Sequence, residues 1–317
     1  MTHAQRISAL RGVVVPLVTP LSDHEALDLP ALGRVVDHVI GGGVHAVFSL
    51  GTTGEFARFN GSERTRIAAA TARAVGGRVP VLVGVSDAGT RLVIEHARAA
   101  ADAGADAIVV SLPYYFPIRD EREVVSFYEE VARASSLPMI LYNIPATTGA
   151  SIGLSAFKHL LELETIVGMK DSGGNLEYLR ELISAARARP GFPVFVGDER
   201  LCVEGLAAGA SGLVPSLANV FPGIFVELFD AAMAGDSARA AELGRLITGM
   251  NALNLYSDSW LSAVAWRKAA LARMGICGET MTSPSVPLDE ATHDSIARLV
   301  AGQGGAVGAR HPNDKRQ

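Results

Sequence analysis

Ile166-Val167-Gly168-Met169-Lys170-Asp171-Ser172 is the stretch on which the fold turns. It is too short and too apolar for an amphipathic helix, and it closes on a lysine, an aspartate and a serine. A strand of this kind, buried on both faces, belongs to a parallel sheet covered by helices. By strict alternation Ile166, Gly168 and Lys170 share one face, while Val167 and Met169 point the other way. That predicts the bulky pair against the covering helices and Lys170 inside the sheet's enclosure.

Outward from this stretch the same unit repeats. Short β-branched runs near 13–19, 46–50, 79–85, 107–112, 138–144, 166–171, 193–197 and 212–216 are predicted as strands. Between them lie Ala-, Arg-, Glu- and Leu-rich segments near 30–41, 62–76, 90–103, 121–135, 154–162, 175–189, 199–208 and 219–234, predicted as helices. Ser62 precedes Glu63, Arg64 and an apolar stripe, as a cap would. Gly104 and Gly209 follow Ala-rich helices, where a left-handed residue ends the turn. Eight strand-then-helix units with short links predict a closed (β/α)8 TIM barrel over 1–235. An open Rossmann sheet would need a glycine fingerprint after its first strand, and none is present. Residues 236–300 read as two or three further helices packed on the barrel. The Gly-rich, polar stretch 301–317 reads as a disordered tail.

Composition narrows the function. Of 317 residues, 49% are hydrophobic and 19% charged, which gives a large core. The net charge of −5 comes without blocks of like charge, so no nucleic-acid or anionic-membrane surface is expected. No apolar run is long enough for a membrane helix, and the proline-bearing stretch 12–21 suits a strand better than a signal helix. Two distant cysteines, Cys202 and Cys277, argue against a disulfide framework, and a cytoplasmic location is the default. None of the eight histidines forms a metal-binding pattern, so neither a metal nor an organic cofactor is expected.

In a (β/α)8 barrel the active site lies at the C-terminal ends of the strands. Of four lysines in the chain, only Lys170 falls in a predicted core strand. A buried ammonium is costly unless it is paired or gives up its proton, and the neutral amine attacks carbonyls. The alternative is a structural ion pair, with Glu55 or Asp171 as partner. Tyr142, in Met139-Ile140-Leu141-Tyr142-Asn143, ends the preceding strand 28 residues earlier, where its phenol can relay protons or simply pack. Gly51-Thr52-Thr53-Gly54-Glu55 follows strand two. Its tight turn and two hydroxyls offer convergent donors for a carboxylate, or else only cap the next helix. Pro113-Tyr114-Tyr115-Phe116-Pro117, after strand four, can wall a pocket, pack in its loop or meet another subunit. Asp198-Glu199, after strand seven, can hold substrate hydroxyls or simply favour a helix N-terminus.

Taken together, GTTGE after strand two, PYY after strand four, YNIP-x-x-TG after strand five and GMKDS on strand six resemble the dihydrodipicolinate synthase / N-acetylneuraminate lyase family over roughly 12–295. The resemblance implies that Lys170 forms the Schiff base and Tyr142 shuttles protons. It implies that Gly51, Thr52 and Thr53 hold the carboxylate of a 2-oxo acid, with Val214 beside it. Tyr115 would reach into a neighbouring subunit and complete a relay with Thr53 and Tyr142. A homotetramer built as a dimer of dimers is implied, with pyruvate and an aldehyde as small-molecule partners. Thr147 stands where true synthases carry an arginine that grips the second substrate's carboxylate. This departure favours the aldolase branch, which cleaves 4-hydroxy-2-oxoglutarate or 2-keto-3-deoxy sugar acids. A dehydratase using the same lysine, the synthase itself and a non-catalytic 2-oxo acid sensor are the alternatives.

Overall fold

The computed structural model describes residues 5, 7, 9–251 and 260–307. Its strands are β1 (Gly12–Pro16), β2 (Ala46–Ser49), β3 (Val81–Gly84), β4 (Ala107–Ser111), β5 (Met139–Asn143), β6 (Ile166–Asp171), β7 (Val194–Val196) and β8 (Gly212–Leu213). They pair in parallel, each with the next, and β8 returns to β1 to close the barrel. The seam is made by facing glycines. A Cβ on Gly212 would lie 2.0 Å from the Gly12 carbonyl oxygen, so no side chain can stand there. The covering helices are α1 (Leu29–Gly41), α2 (Gly61–Val75), α3 (Thr90–Asp102), α4 (Glu121–Ala134), α5 (Leu154–Leu160), α6 (Leu176–Ala186), α7 (Cys202–Ala207) and α8 (Pro222–Met233).

Two layers of core follow from strand alternation. Val13, Val15, Leu141 and Met169 face the helices, while Val14, Phe48, Ile140 and Phe195 fill the barrel. The expected face assignment of β6 needs one correction. Ile166 packs in the outer layer and Val167 among the interior residues. The register slips between Met139 and Ile140, which pair with Ile166 and Gly168, so Val167 is an extra residue in a bulge. The bulge resets the phase, and Met169 and Lys170 then face outward and inward as alternation predicts.

Other boundaries shift for local reasons. The cap of α2 is Asn60, not Ser62. The Asn60 side chain accepts from the Glu63 amide while Glu63 accepts from the Asn60 amide, a reciprocal capping box. Ser62 instead donates its hydroxyl to Asn60. Gly104 and Gly209 adopt φ of +90° and +102°, as the ends of their helices required. β8 stops at Leu213, two residues before Pro215. The segment after β7 begins as a 3-10 turn at Glu199–Leu201 before α7.

Beyond α8 come α9 (Ser237–Asn251), α10 (Trp260–Arg273) and α11 (Glu290–Val307). The last helix runs through 301–307, where composition led a tail to be expected. Residues 252–259 of the expected appendix and 308–317 of the tail lie outside the described residues. Among the described residues no helix is long and apolar enough to cross a membrane, and no His/Cys/Asp/Glu cluster is arranged to hold a metal ion.

Candidate active site

A cavity of about 340 Å³ opens at the C-terminal ends of the strands. Lys170 stands in it, on β6, directly across from Tyr142 on β5 in the strand register. Its Nζ lies 3.9 Å from the Tyr142 ring centre and 5.2 Å from that of Phe48. The residue is only 5% exposed. Neither carboxylate considered as a structural partner reaches it. Glu55 turns to Lys268, with Nζ–Oε1 at 2.6 Å, and Asp171 accepts from Asn143 Nδ2 at 2.7 Å and from the Gly173 amide. Burial pushes the Asp171 carboxyl above its ordinary range, and these two hydrogen bonds partly oppose the shift. Room for the lysine comes from Gly197, where a Cβ would sit 2.8 Å from Lys170 Cε and 2.1 Å from Ser172 Oγ.

The turn after β2 forms the opposite wall. Leu50 and Glu55, at φ of 57° and 58°, bracket Thr52–Gly54 in left-handed conformation. That costs on the order of 1–2 kcal/mol at each non-glycine residue. The strain is held by tertiary bonds: Thr19 Oγ1 donates to the Gly54 carbonyl at 2.8 Å, and the Glu55 carboxylate takes Lys268 Nζ, the Thr282 amide and Thr282 Oγ1. Thr52 and Thr53 both line the cavity. The hydroxyl within hydrogen-bond distance of Tyr142 Oη is that of Thr52, at 3.4 Å, whereas the expected relay named Thr53. Gly51 supports the turn without lining the cavity. Its carbonyl accepts from the Gly54 amide.

Val214 lines the cavity just past β8. Asp198 does too, but its carboxylate is already committed. It caps the 3-10 turn through the Arg200 amide and pairs with the Arg200 guanidinium at 2.6 Å. Glu199 is equally engaged, accepting from Ser216 Oγ, the Leu217 amide and Arg267. Asp198 thus caps its own turn, while Glu199 bonds to the segment after β8 and to α10. Thr147 lies off the cavity, in the one-turn helix Pro145–Thr148, with its hydroxyl donated to the Ile144 carbonyl. Tyr115 is 73% exposed and packs edge-on against Phe116, also outside the cavity of its own chain.

Inspection of the sequence missed the contribution of the appendix. Ala263, Val264 and Arg267 of α10 line the cavity, as does Asn251 at the end of α9. The adjacent basic residues Arg267 and Lys268, within a helix that is otherwise mostly apolar, were the available signal.

A closed barrel with a cavity-facing lysine on β6, a tyrosine beside it and a hydroxyl-bearing turn opposite defines a Schiff-base type of lyase. The dihydrodipicolinate synthetase family model matches residues 9–303, and the chain belongs to that family, as an enzyme of its lyase/aldolase class. A 4-hydroxy-tetrahydrodipicolinate synthase of Thermomicrobium roseum is 33% identical, over 92% of this chain and 94% of that protein. A probable 2-dehydro-3-deoxy-D-pentonate aldolase of Escherichia coli is 32% identical, over 92% and 97%. Among solved structures, YagE, an Escherichia coli prophage protein of the dihydrodipicolinic acid synthase family in complex with pyruvate, superposes with a TM-score of 0.88. It is 30% identical, over 93% of this chain and 99% of that one.

Proposed function

We propose that the protein reversibly cleaves a 2-oxo acid to pyruvate and an aldehyde through a Schiff base on Lys170. The observation that carries this reading is the placement of Lys170 Nζ, buried, without a carboxylate partner among the described residues, and flanked by Tyr142 at the cavity. The substrate carboxylate docks on the Thr52–Thr53 turn, with Gly51 allowing the close approach and Val214 packing beside the carbon chain. The neutral amine attacks C2, and Tyr142, backed by the Thr52 hydroxyl, carries a proton to the C2 oxygen as water leaves. The iminium then takes up the electron pair of the breaking C3–C4 bond, and the C4 hydroxyl gives up its proton as the aldehyde forms. The enamine takes a proton at C3, and water at C2 frees pyruvate and restores the amine.

The second reading is the condensation of pyruvate with aspartate semialdehyde. Against it stands Thr147, whose hydroxyl is bonded to its own turn where an arginine would grip a carboxylate. A polar acceptor side, with Ser172, Ser216 and Arg200 on one wall, favours a hydroxylated or acidic acceptor fragment. The exposed Tyr115–Phe116 pair fits a subunit contact in a dimer-of-dimers tetramer. Borohydride trapping with pyruvate, followed by intact mass and peptide mapping, tests the chemistry. One pyruvyl adduct per chain on Lys170 is expected, and a folded protein that gives none overturns the reading. Product analysis for pyruvate separates an aldolase from a dehydratase, which releases none.

A further inference from the structure

Helix α10 touches both walls of the cavity through adjacent residues. Consecutive positions on a helix point about 100° apart, so neighbours diverge to different partners. Arg267 Nη2 reaches Glu199 Oε2 at 3.1 Å, in the turn after β7. Lys268 Nζ reaches Glu55 Oε1 at 2.6 Å and the Thr280 carbonyl at 2.8 Å, beside the turn after β2. In barrel order β7, β8, β1 and β2 are neighbours, so α10 spans one continuous arc of the rim. Both cations are buried, and Lys268 is 0% exposed. Burial pulls the Lys268 ammonium below its ordinary range, and Glu55 opposes that shift. A buried charge of this kind holds its partner firmly, because separation leaves both uncompensated.

We infer that Arg267 and Lys268 are positioning residues that fix the two walls separately: Lys268, through Glu55, sets the turn that docks the 2-oxo acid carboxylate, and Arg267, through Glu199, sets the wall that faces the acceptor fragment. The division of labour rests on the Schiff-base reading. The link between each cation and its own turn does not.

The test compares Arg267→Met with Lys268→Met in the full chain. Amide hydrogen exchange is followed in peptides covering 51–55 and 198–201, and adduct formation is titrated with pyruvate and borohydride. In Lys268→Met, exchange should quicken in 51–55 and stay unchanged in 198–201. The pyruvate concentration for half-maximal trapping should rise by roughly tenfold or more, the scale of one lost charge-assisted hydrogen bond. In Arg267→Met, exchange should quicken in 198–201 alone, and half-maximal trapping should stay within about twofold of wild type. If Lys268→Met does not fold, Glu55→Gln/Lys268→Met removes both charges and carries the same expectation. Parallel loosening of both turns in either variant, or unchanged pyruvate half-saturation in the Lys268 variants, would overturn the inference. Failure of the wild-type protein to form an adduct would count against the Schiff base, while the exchange pattern still decides the coupling.

Discussion

Two lysines are buried among the described residues, and their surroundings are opposite. Lys268 has a carboxylate at 2.6 Å, a carbonyl at 2.8 Å and no exposure. Lys170 has two aromatic faces, a cavity in front of it and no carboxylate among its described neighbours. Pairing compensates a buried cation and commits its lone charge to structure. Leaving one without a carboxylate keeps its nitrogen out of an ion pair and turned to the cavity. Surroundings, more than the side chain, therefore separate a clamp from a nucleophile.

The sharpest break of this contrast is Lys170→Ala. It should abolish pyruvate trapping and turnover while leaving thermal stability equal to wild type or higher, since no ion pair is lost. A full loss of folding would place Lys170 with Lys268 instead. Tyr142→Phe should follow, slowing turnover by about 10² to 10⁴ if the phenol relays protons, with the steady-state rate as the measurement. Lys268→Ala inverts the Lys170 outcome. Denaturant unfolding should show a loss of roughly 3–5 kcal/mol, because Glu55 is left buried without its cation. Gly197→Ala should slow adduct formation without a comparable stability loss, as its methyl crowds Lys170 Cε and Ser172 Oγ. Stopped-flow trapping would read that difference. The smallest effect belongs to Asp171. Its carboxyl is raised by burial, so ionisation costs the folded state, and stability should fall as pH rises through the interval just above 3.8. Asp171→Asn should flatten that slope in unfolding curves taken across pH.

Much of this was legible in the chain itself. The eight alternating units, the glycines ending α3 and α7, and the inward direction of Lys170 all follow from short-range pattern. Thr52 and Tyr142 could be placed because strand ends in a barrel share one rim, and Val214 through the family resemblance. What escaped was phase and distance. A single extra residue at Val167 reversed the faces of Ile166 and Val167, and no periodicity marks where a bulge falls. Asn60 displaced Ser62 as cap because the reciprocal bond with Glu63 needs a three-residue spacing that Ser62 lacks. The pairs Glu55–Lys268 and Glu199–Arg267 join residues 213 and 68 positions apart, beyond the reach of any local pattern.

The adjacency of Arg267 and Lys268 has a consequence for how such an enzyme can be divided. A barrel ending after its eighth unit would retain the lysine, the tyrosine and both threonines, and so every group given a step in the proposed chemistry. It would still lose the brace that holds two sides of the mouth at their spacing. Catalytic parts and their calibration are thus written in different portions of the gene. Exchanging the segment that encodes α10 between relatives would retune the opening without altering a single reacting atom.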